Sequence, residues 1–368
     1  MEIMESPASR PLKRARLLPP AGDGGALRRR AAPLLVAAVY DAAHLSRVDV
    51  RLVGVSSGAV VARLDGLSSG HFAAATGGLV CLVGAGGDSA AVRVLDPATG
   101  AATDIITAPA AAAHGHHQRA SPPPSHVFGQ VPATGEYKVL RIHPAGGQPH
   151  HHRQQACEIL TLGERRWRPA PSPPAPVAAA THRTRAVARG VAHFLPAPPP
   201  LFHHHHHHAA ECDAVASFDL GAEAWRPALL RGALSSSSGA GVGGRVHRAH
   251  LSLAELGGCL ATVHHNYGGG SIDVWRLADD MEAEGTWTRT HSLRLGSVLR
   301  GMGQVVAAGE WESLAQPLAV LDDGRIAVRV EGKGSVRVYD PRTEACVEVA
   351  DMGRFSCVIG LYTGAMGG

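Results

Sequence analysis

The stretch VRVYDPRTEAC at positions 336–346 carries the pattern that decides the fold. Val336 and Val338 alternate with polar or larger residues, which is typical of a β-strand with one buried face. Asp340-Pro341 followed by Thr343 is a strong turn signal, because proline fixes φ while Asp and Thr side chains bond to nearby backbone groups. The stretch therefore predicts two strands joined by a tight turn, a β-hairpin.

This hairpin pattern recurs at nearly regular intervals along the chain. Its copies begin at residues 92 (VRVLDPATG), 157 (CEILTLGERRW), 215 (VASFDLGAEAW), 272 (IDVWRLADD) and 336. Such spacing indicates an internal repeat. A second hairpin is predicted upstream of each copy, with turns at 77–78, 134–135, 189–190, 257–258 and 323–324. Each repeat would then hold four antiparallel strands, which is the composition of a propeller blade.

The repeats predict an all-β protein, a β-propeller of about six four-stranded blades. Segments 50–64 and 357–362 are candidates for the strands that close the ring, and residues 40–363 are assigned to the propeller. Residues 1–35 are assigned to a disordered basic tail, because they are rich in Pro, Gly and Arg and lack periodicity.

The composition favours short strands over long helices. Hydrophobic residues make up 45% of the chain but aromatic residues only 4%, and 44 glycines and 25 prolines interrupt it throughout. The net charge of +4 is small for 368 residues and sits largely in the tail, so nucleic-acid binding is not expected. No apolar run approaches the ~20 residues of a membrane span, and the longest, at 31–39, contains Pro33.

A location in the nucleus and/or the cytoplasm is predicted. Residues 13–16 (KRAR) and 28–30 (RRR) resemble a bipartite nuclear import signal, with a merely solvated tail as the alternative. The six cysteines form no CxxC pair, which makes a structural zinc site improbable. Four of them lie in apolar strand-like runs and are expected to be buried free thiols in a reducing compartment: Cys81, Cys157, Cys259 and Cys346.

Two features of the sequence could indicate catalysis or metal binding. GVSSG at 54–58 fits the nucleophile elbow of a serine hydrolase around Ser56, but the following residues favour a hairpin loop. The histidine runs at 203–208 and 150–152, with His114, His116 and His117, could bind transition metals, but low-complexity loops are the favoured interpretation. We therefore predict no catalytic, cofactor-binding or metal-binding residue, no cofactor and no enzyme activity, with a serine hydrolase as a remote alternative.

Large or charged side chains recur near the hairpins. Trp167, Trp225 and Trp287 begin the second strand of their hairpins and are expected to fill the space between blades, rather than contact a ligand. Four arginines are expected to be solvated charges at strand edges, with a rim for an acidic peptide as the alternative: Arg165, Arg166, Arg168 and Arg226.

The stretch VFGQVPATGEYKVLR at 127–141 resembles the opening motif of the plant F-box-associated domain, type 3, although Val127, Gln130 and Val131 replace the Gly, Tyr and Asp of that family. The similarity continues through CEILTLG at 157–163 with Trp167-Arg168, RGVAHFL at 189–195, SFDL at 217–220 with Glu223, LAELGGCL at 253–260 and IDVWRL at 272–277. The resemblance implies a kelch-like propeller that recognises substrates for Skp-cullin-F-box ubiquitin ligases.

Such proteins usually begin with an F-box, which binds the Skp adaptor. Here Leu18-Pro19 leads into AGDGG, and neither Cys nor Trp occurs before Cys81, so no F-box is recognisable. The predicted partners are unknown protein clients, and the Skp adaptor and cullin only if a cryptic F-box exists. A propeller that binds partners independently of any ligase is the alternative. The long loops at 145–155, 201–209 and 235–244 are candidates for the mouth of the central channel, where propellers usually bind ligands.

Overall fold

A computed structural model describes residues 16–17, 34–40, 47–68, 70–76, 78–84, 92–97, 99–105, 124–144, 154–164, 166–179, 181–197, 213–236, 250–278, 285–301, 315–331, 334–353 and 356–362.

The described residues form 25 strands, numbered in chain order. The first twelve are β1 (Arg16–Leu17), β2 (Leu34–Tyr40), β3 (Arg47–Gly54), β4 (Val60–Ser68), β5 (Gly70–Thr76), β6 (Leu79–Gly84), β7 (Val92–Asp96), β8 (Ala101–Ile105), β9 (Ser125–Gln130), β10 (Tyr137–Ile142), β11 (Cys157–Thr161) and β12 (Arg168–Ala170). The others are β13 (Arg185–Ala188), β14 (Val191–Phe194), β15 (Ala216–Asp219), β16 (Ala224–Trp225), β17 (Leu251–Leu256), β18 (Cys259–Asn266), β19 (Ser271–Leu277), β20 (Trp287–Arg294), β21 (Ala315–Val320), β22 (Ile326–Val330), β23 (Ser335–Asp340), β24 (Ala345–Asp351) and β25 (Ser356–Tyr362).

Antiparallel pairing groups these strands into six blades, numbered by the order of their innermost strands. Blades 1 to 5 are β5–β8, β9–β12, β13–β16, β17–β20 and β21–β24, each with its strands side by side in chain order. Blade 6 has the order β1-β4-β3-β2-β25. The chain is therefore a six-bladed β-propeller, and the predicted fold is confirmed.

The recurring hairpin pattern corresponds to the two outer strands of a blade. Its five copies coincide with the third strands β7, β11, β15, β19 and β23, and the predicted upstream turns join the first and second strands. In the turn after β7, Thr99 donates to the Asp96 carboxylate at 2.9 Å and accepts a bond from the Ala101 amide. The turn chemistry inferred from the sequence is therefore present.

The ring is closed by strands from distant parts of the chain. The innermost strands β5, β9, β13, β17, β21 and β25 contact one another in succession, and β25 contacts β5. β25 pairs with β2 from Leu34↔Tyr362 to Val39↔Ser356. The prediction that the segment 357–362 helps to close the ring is confirmed.

The predicted boundaries at this end need correction. β2 begins at Leu34, before the boundary placed at residue 40 and inside the segment assigned to the tail. Leu35 to Ala38 are fully buried on both faces of the sheet, so LLVAAVY lacks the alternation that marks a half-exposed strand. Arg16 and Leu17 pair with Arg63 and Ala62 of β4, although they too were assigned to the tail. The remaining tail lies outside the described residues.

The hydrophobic core consists of layers between neighbouring blades. Trp167, only 8% exposed, packs with Cys81 and Val94 of blade 1, and Trp287 packs with Leu195 and Val215 of blade 3. Trp225 contacts Phe194 and Phe218 and packs on the core between blades 2 and 3. The expectation that these tryptophans fill inter-blade space is confirmed.

Two of these indoles also tie neighbouring blades by hydrogen bonds. Trp225 Nε1 donates to the Pro171 carbonyl at 2.8 Å, and Trp287 Nε1 donates to the Arg231 carbonyl at 2.7 Å. Each acceptor follows the outermost strand of the preceding blade, so the bond recurs at equivalent places. The recurrence of tryptophan at this position of the hairpin therefore has a structural explanation.

The described cysteines are free thiols inside or beside these layers. Cys81, Cys157 and Cys259 are buried, and Cys346 is half-buried. Burial raises the pKa of Cys81 and raises that of Cys157 to about 12, so both remain protonated at neutral pH. The prediction of buried free thiols is confirmed for three of the four strand cysteines.

Helical structure is minor in the described part of the chain. It comprises α1 (Ala233–Ser236), α2 (Leu295–Val298) and a single 3₁₀ turn at His182–Thr184. None of these has the length and apolar character to cross a bilayer.

The turn between β3 and β4 provides a test of packing between blades. Gly58 has φ +66°, and a Cβ there would overlap the carbonyl oxygen of Val349 in β24. We expect Gly58→Ala to lower the free energy of unfolding by about 2–4 kcal/mol, because backbone strain and a clash with blade 5 add together. Urea unfolding followed by tryptophan fluorescence measures this.

The matched control is Gly135→Ala. Gly135 has φ +74°, yet a Cβ there would meet nothing within 4 Å. This change should cost only about 1 kcal/mol, from backbone strain alone. Equal losses in the two variants would show that the contact between blades 5 and 6 is absent in solution.

Candidate functional site

The two ends of the central channel differ in the connections around them. In blades 1 to 5, the first and second strands, and the third and fourth strands, are joined at one end, called the turn face, mostly by short turns such as 77–78, 189–190 and 257–258. The other connections emerge at the opposite end, called the loop face. Several of them are long: 143–156, 195–215, 226–250 and 295–314.

The three loops singled out in the sequence belong to this loop face. Segments 145–155, 201–209 and 235–244 fall within the connections β10–β11, β14–β15 and β16–β17. Most of each loop lies outside the described residues, but the strand ends that carry them all lie at this face. The predicted place of the loops themselves at the mouth of the channel stays a prediction.

A cluster of charged side chains spans the mouth on this face. The channel-mouth cluster consists of His182, Arg183, Arg185, Arg329 and Glu331. Its first three residues lie in the 3₁₀ turn and at the start of β13. Arg329 lies in β22, the second strand of blade 5, and Glu331 directly follows that strand. The 3₁₀ turn contacts β17, so it passes over blade 4 to reach blade 5.

The Glu331 carboxylate lies at the centre of the cluster. Arg183 forms an ion pair with it, and Arg329 Nη1 lies 3.5 Å from its Oε1. His182 Nε2 lies 3.0 Å from the same oxygen and 2.9 Å from Arg329 Nη1. Contacts between residues about 150 positions apart in sequence thus join two blades that are not neighbours.

The protonation state of His182 follows from its surroundings. Partial burial, and the nearby charges of Arg329, Arg183 and Arg185, lower the pKa of His182 to about 3. The ring is therefore neutral at physiological pH. A neutral Nε2 can accept the bond from Arg329, which leaves the two guanidiniums as the charged partners of Glu331.

The charged groups of the cluster are largely shielded from water. Arg329 and Glu331 are only 9% and 14% exposed in their side chains, and the Arg183 side chain is 18% exposed. Charges at a partly desolvated mouth with low-dielectric walls focus the electric field outward. The loop face therefore presents a group of partly desolvated charges, with the 44% exposed His182 ring at its surface.

A buried histidine holds the strands beneath the cluster. His265 Nε2 lies 2.6 Å from the Ala315 carbonyl, and Nδ1 lies 3.2 Å from the His250 carbonyl. These contacts connect β18 to the start of β21 and to the residue before β17. Burial lowers the pKa of His265, and a neutral ring has a single N–H, so it donates a hydrogen bond to only one of the two carbonyls.

The turn face holds a small cavity between blades 3 and 4. Its volume is about 210 Å³, and its polar lining comes from Arg189, Arg226, His193 and Cys259. This volume is below the ~300 Å³ at which small-molecule sites usually begin. Arg226, expected to be a solvated edge charge, is instead a half-buried lining residue.

Among the other residues singled out in the sequence, Arg168 has a structural role, and several lie outside the described residues. Arg168 was expected to be solvated, but it forms two bonds to Glu223 of blade 3, at 2.5 and 2.7 Å, although its side chain stays 40% exposed. Arg166 is exposed, as expected, and Arg165 lies outside the described residues. The histidine runs also lie outside them, and no three His, Cys, Asp or Glu side chains among the described residues form a metal-binding group.

The hairpin interpretation of the GVSSG stretch is confirmed. Ser56 is exposed in the turn from β3 to β4, and the Gly54 amide donates to the Ala59 carbonyl at 2.8 Å across that turn. A nucleophile elbow leads from a strand into a helix, whereas this turn leads into a second strand.

The channel-mouth residues were missed in the sequence. A local signal exists in THRTR at 181–185, a basic segment immediately before a strand. Nothing in the sequence indicated that this segment meets Arg329 and Glu331, because the two parts lie two blades apart.

Comparisons with known proteins add structural likeness only. No protein-family model matches the chain, and no curated protein matches it. Among solved structures, an uncharacterized protein from Listeria monocytogenes is similar at 8% identity and a TM-score of 0.39, over 88% of this chain and 81% of that one. A putative 6-phosphogluconolactonase from Bacteroides fragilis is similar at 11% identity and a TM-score of 0.37, over 90% of this chain and 99% of that one. The β-propeller domain of the Trilobed protease from Pyrococcus furiosus is similar at 8% identity and a TM-score of 0.36, over 94% of this chain and 98% of that one. The assignment of the fold therefore rests on the strand pairing of the chain itself.

Proposed function

We propose that this chain is a protein-interaction module that binds its partners at the loop face. One observation carries the proposal: the long connections and the channel-mouth cluster lie at the same end of the channel. A rigid ring of blades that holds variable loops around one mouth is an arrangement that proteins use for recognition. The turn face, by contrast, has mostly short turns.

The finer proposal is that the partners are substrates of a Skp-cullin-F-box ubiquitin ligase. Its support is the resemblance to the plant F-box-associated domain, whose opening motif falls on β9, β10 and the turn between them. The alternative is a propeller that binds partners without a ligase. Neither proposal gives the chain a catalytic role.

Affinity purification can test the binding face. The full chain would be purified from plant cell extract, with quantitative mass spectrometry of the proteins that co-purify. We expect Arg183→Glu, on the loop face, to lower the recovery of specific partners by about tenfold, because it reverses a charge at the centre of the contact. Arg342→Glu is the control, since Arg342 is exposed in a turn on the turn face.

The same experiment separates the two finer proposals. Recovery of Skp and cullin subunits supports membership of a ligase, and recovery of other partners without them supports the independent module. Loss of partners with Arg342→Glu but not with Arg183→Glu would place binding on the turn face and overturn the proposal. Thermal unfolding of each variant verifies that the ring is intact.

A further inference from the structure

The cavity on the turn face holds a cysteine that arginines of two blades contact. Cys259 begins β18 in blade 4 and lines the cavity between blades 3 and 4. Arg276 Nη2, from β19, donates to its Sγ at 3.1 Å. Arg189 Nη2, from the turn before β14 in blade 3, lies 3.7 Å from the same sulfur. Cysteines that lie beside cationic groups and are partly open to solvent are the ones that react.

A buried histidine adds a second polar group to the same cavity. His193 lines it and is 1% exposed. Its Nδ1 lies 2.9 Å from Ser217 Oγ, and its Nε2 makes no hydrogen bond to any described residue. Burial, and the nearby charge of Arg226, lower the pKa of His193 to about 3, so the ring is neutral. A buried nitrogen without a partner indicates that a small polar molecule enters the cavity.

The size of the cavity limits what can reach the sulfur. Its volume is about 210 Å³. Sites for drug-sized ligands usually begin at about 300 Å³, whereas a water molecule takes up about 30 Å³. The cavity therefore admits a molecule of a few atoms. Hydrogen peroxide meets this limit, and it is uncharged and can form a hydrogen bond with an imidazole nitrogen.

We propose that Cys259 is a site of oxidation by hydrogen peroxide, at which the thiol becomes a sulfenic acid. The sulfur attacks one peroxide oxygen, so that an S–O bond forms and the O–O bond breaks. The sulfur loses two electrons to the peroxide, and the thiol proton leaves with the departing hydroxide as water. Arg276 and Arg189 stabilise the negative charge on the sulfur during the attack. The site lies away from the loop face and does not rest on the proposed function.

The other described cysteines provide an internal comparison. Cys81 is fully buried, and burial raises its pKa and raises the pKa of Cys157 to about 12. Cys346 is half-buried and so more exposed than Cys259, which is 4% exposed, but burial raises the pKa of Cys346 as well. Exposure alone would make Cys346 the most reactive of these four thiols, whereas the proposal makes Cys259 the most reactive.

Oxidation of the purified full chain measures this order. The reduced chain is exposed to hydrogen peroxide, catalase stops the reaction at set times, and the chain is then unfolded in iodoacetamide. Mass spectrometry gives the fraction of each thiol that remains, and a parallel sample unfolded in dimedone identifies sulfenic acid. We expect the Cys259 thiol to be lost about tenfold faster than that of Cys346, and those of Cys81 and Cys157 to be lost more slowly still.

Substitution of one arginine tests the cause. Arg276→Gln should slow oxidation of Cys259 about tenfold, because a charge-assisted donor to the sulfur is lost. Arg276→Lys keeps a cation and should retain most of the rate. Arg289→Gln is the matched control, since Arg289 is an exposed arginine on the neighbouring strand β20, and it should leave the rate unchanged. Thermal unfolding verifies each fold, and Arg189→Gln replaces Arg276→Gln if that variant fails to fold.

Three results would overturn the inference. The first is loss of the Cys346 thiol at least as fast as that of Cys259. The second is an Arg276→Gln variant that keeps its fold and is oxidised at the rate of the unsubstituted chain. The third is loss of the Cys259 thiol without a dimedone adduct, which would contradict sulfenic acid as the product. Each of these can be observed whether or not the loop face binds a partner.

Discussion

A chain that ends after Gly353, and so lacks β25, is expected to lose its cooperative unfolding transition. β25 supplies the innermost strand of blade 6 and lies between β5 and β21. Without it, the fully buried Leu35, Val36 and Ala37 of β2 would face water at an open edge. The loss of pairing and burial should exceed about 5 kcal/mol, which is the whole stability of many domains. Circular dichroism during heating, together with binding of a dye for exposed hydrophobic surface, measures the outcome.

A longer truncation product serves as the control. A chain that ends after Thr363 keeps all of β25 and should unfold as the full chain does. If the shorter chain also retained a sharp transition at the same temperature, then the pairing of β2 with β25 would not close the ring in solution.

Glu223→Gln should destabilise the propeller more than removal of an exposed surface charge does. Lys138, Arg168 and Glu223 form an ion triad between blades 2 and 3, with Lys138 Nζ 2.8 Å from Glu223 Oε1. The Lys138 side chain is only 7% exposed, so loss of the carboxylate leaves a nearly buried cation without its charge partner. We expect the free energy of unfolding to fall by about 2–3 kcal/mol, less than for a fully buried pair because Arg168 is partly solvated.

The effect should depend on pH. The bonds from Arg168, and those from Lys138, lower the pKa of Glu223 to about 2, against an ordinary value of 4.5. Because the folded state holds the carboxylate ionised, its contribution is fully present above about pH 4.5 and is lost as the pH falls toward 2. The difference in stability between the native chain and Glu223→Gln should shrink over that range in urea titrations.

The repeat provides a matched control for this prediction. Glu344 occupies the equivalent turn position, and like Glu223 it has a positive φ and a neighbouring arginine. Its partner Arg294 lies 2.8 Å away, but the two side chains are 48% and 63% exposed. Glu344→Gln should therefore cost at most about 0.5 kcal/mol. Equal losses in both variants would show that burial of Lys138 does not set the energy of the triad.

Much of the fold could be predicted because each blade repeats one local pattern. VRVLDPATG and VRVYDPRTEAC differ in detail, yet each encodes a half-buried strand and a turn within a few residues. Local patterns of this kind can be recognised in a single sequence. β2 was harder to recognise, since burial on both faces removes the alternation, and its partner strand begins at residue 356.

The contacts of the charged groups were also harder to predict, because their partners come from distant parts of the chain. The sequence predicts Arg168 as an exposed residue at a strand edge. It pairs with Glu223 only because blade 3 packs beside blade 2. His182 and Glu331 meet because the ring brings blades 3 and 5 to one mouth. Contacts across such distances depend on the assembled ring, which no local pattern contains.

Blade 6 has a consequence for synthesis of the protein on the ribosome. β2 is made before blades 1 to 5, but its inner partner β25 emerges only after they have been made. Until then β2 has an unpaired edge with apolar residues, which is the kind of surface that promotes aggregation of nascent chains. Closure of the ring thus has to wait until β25 has left the exit tunnel, and we expect the edge of β2 to stay exposed until then.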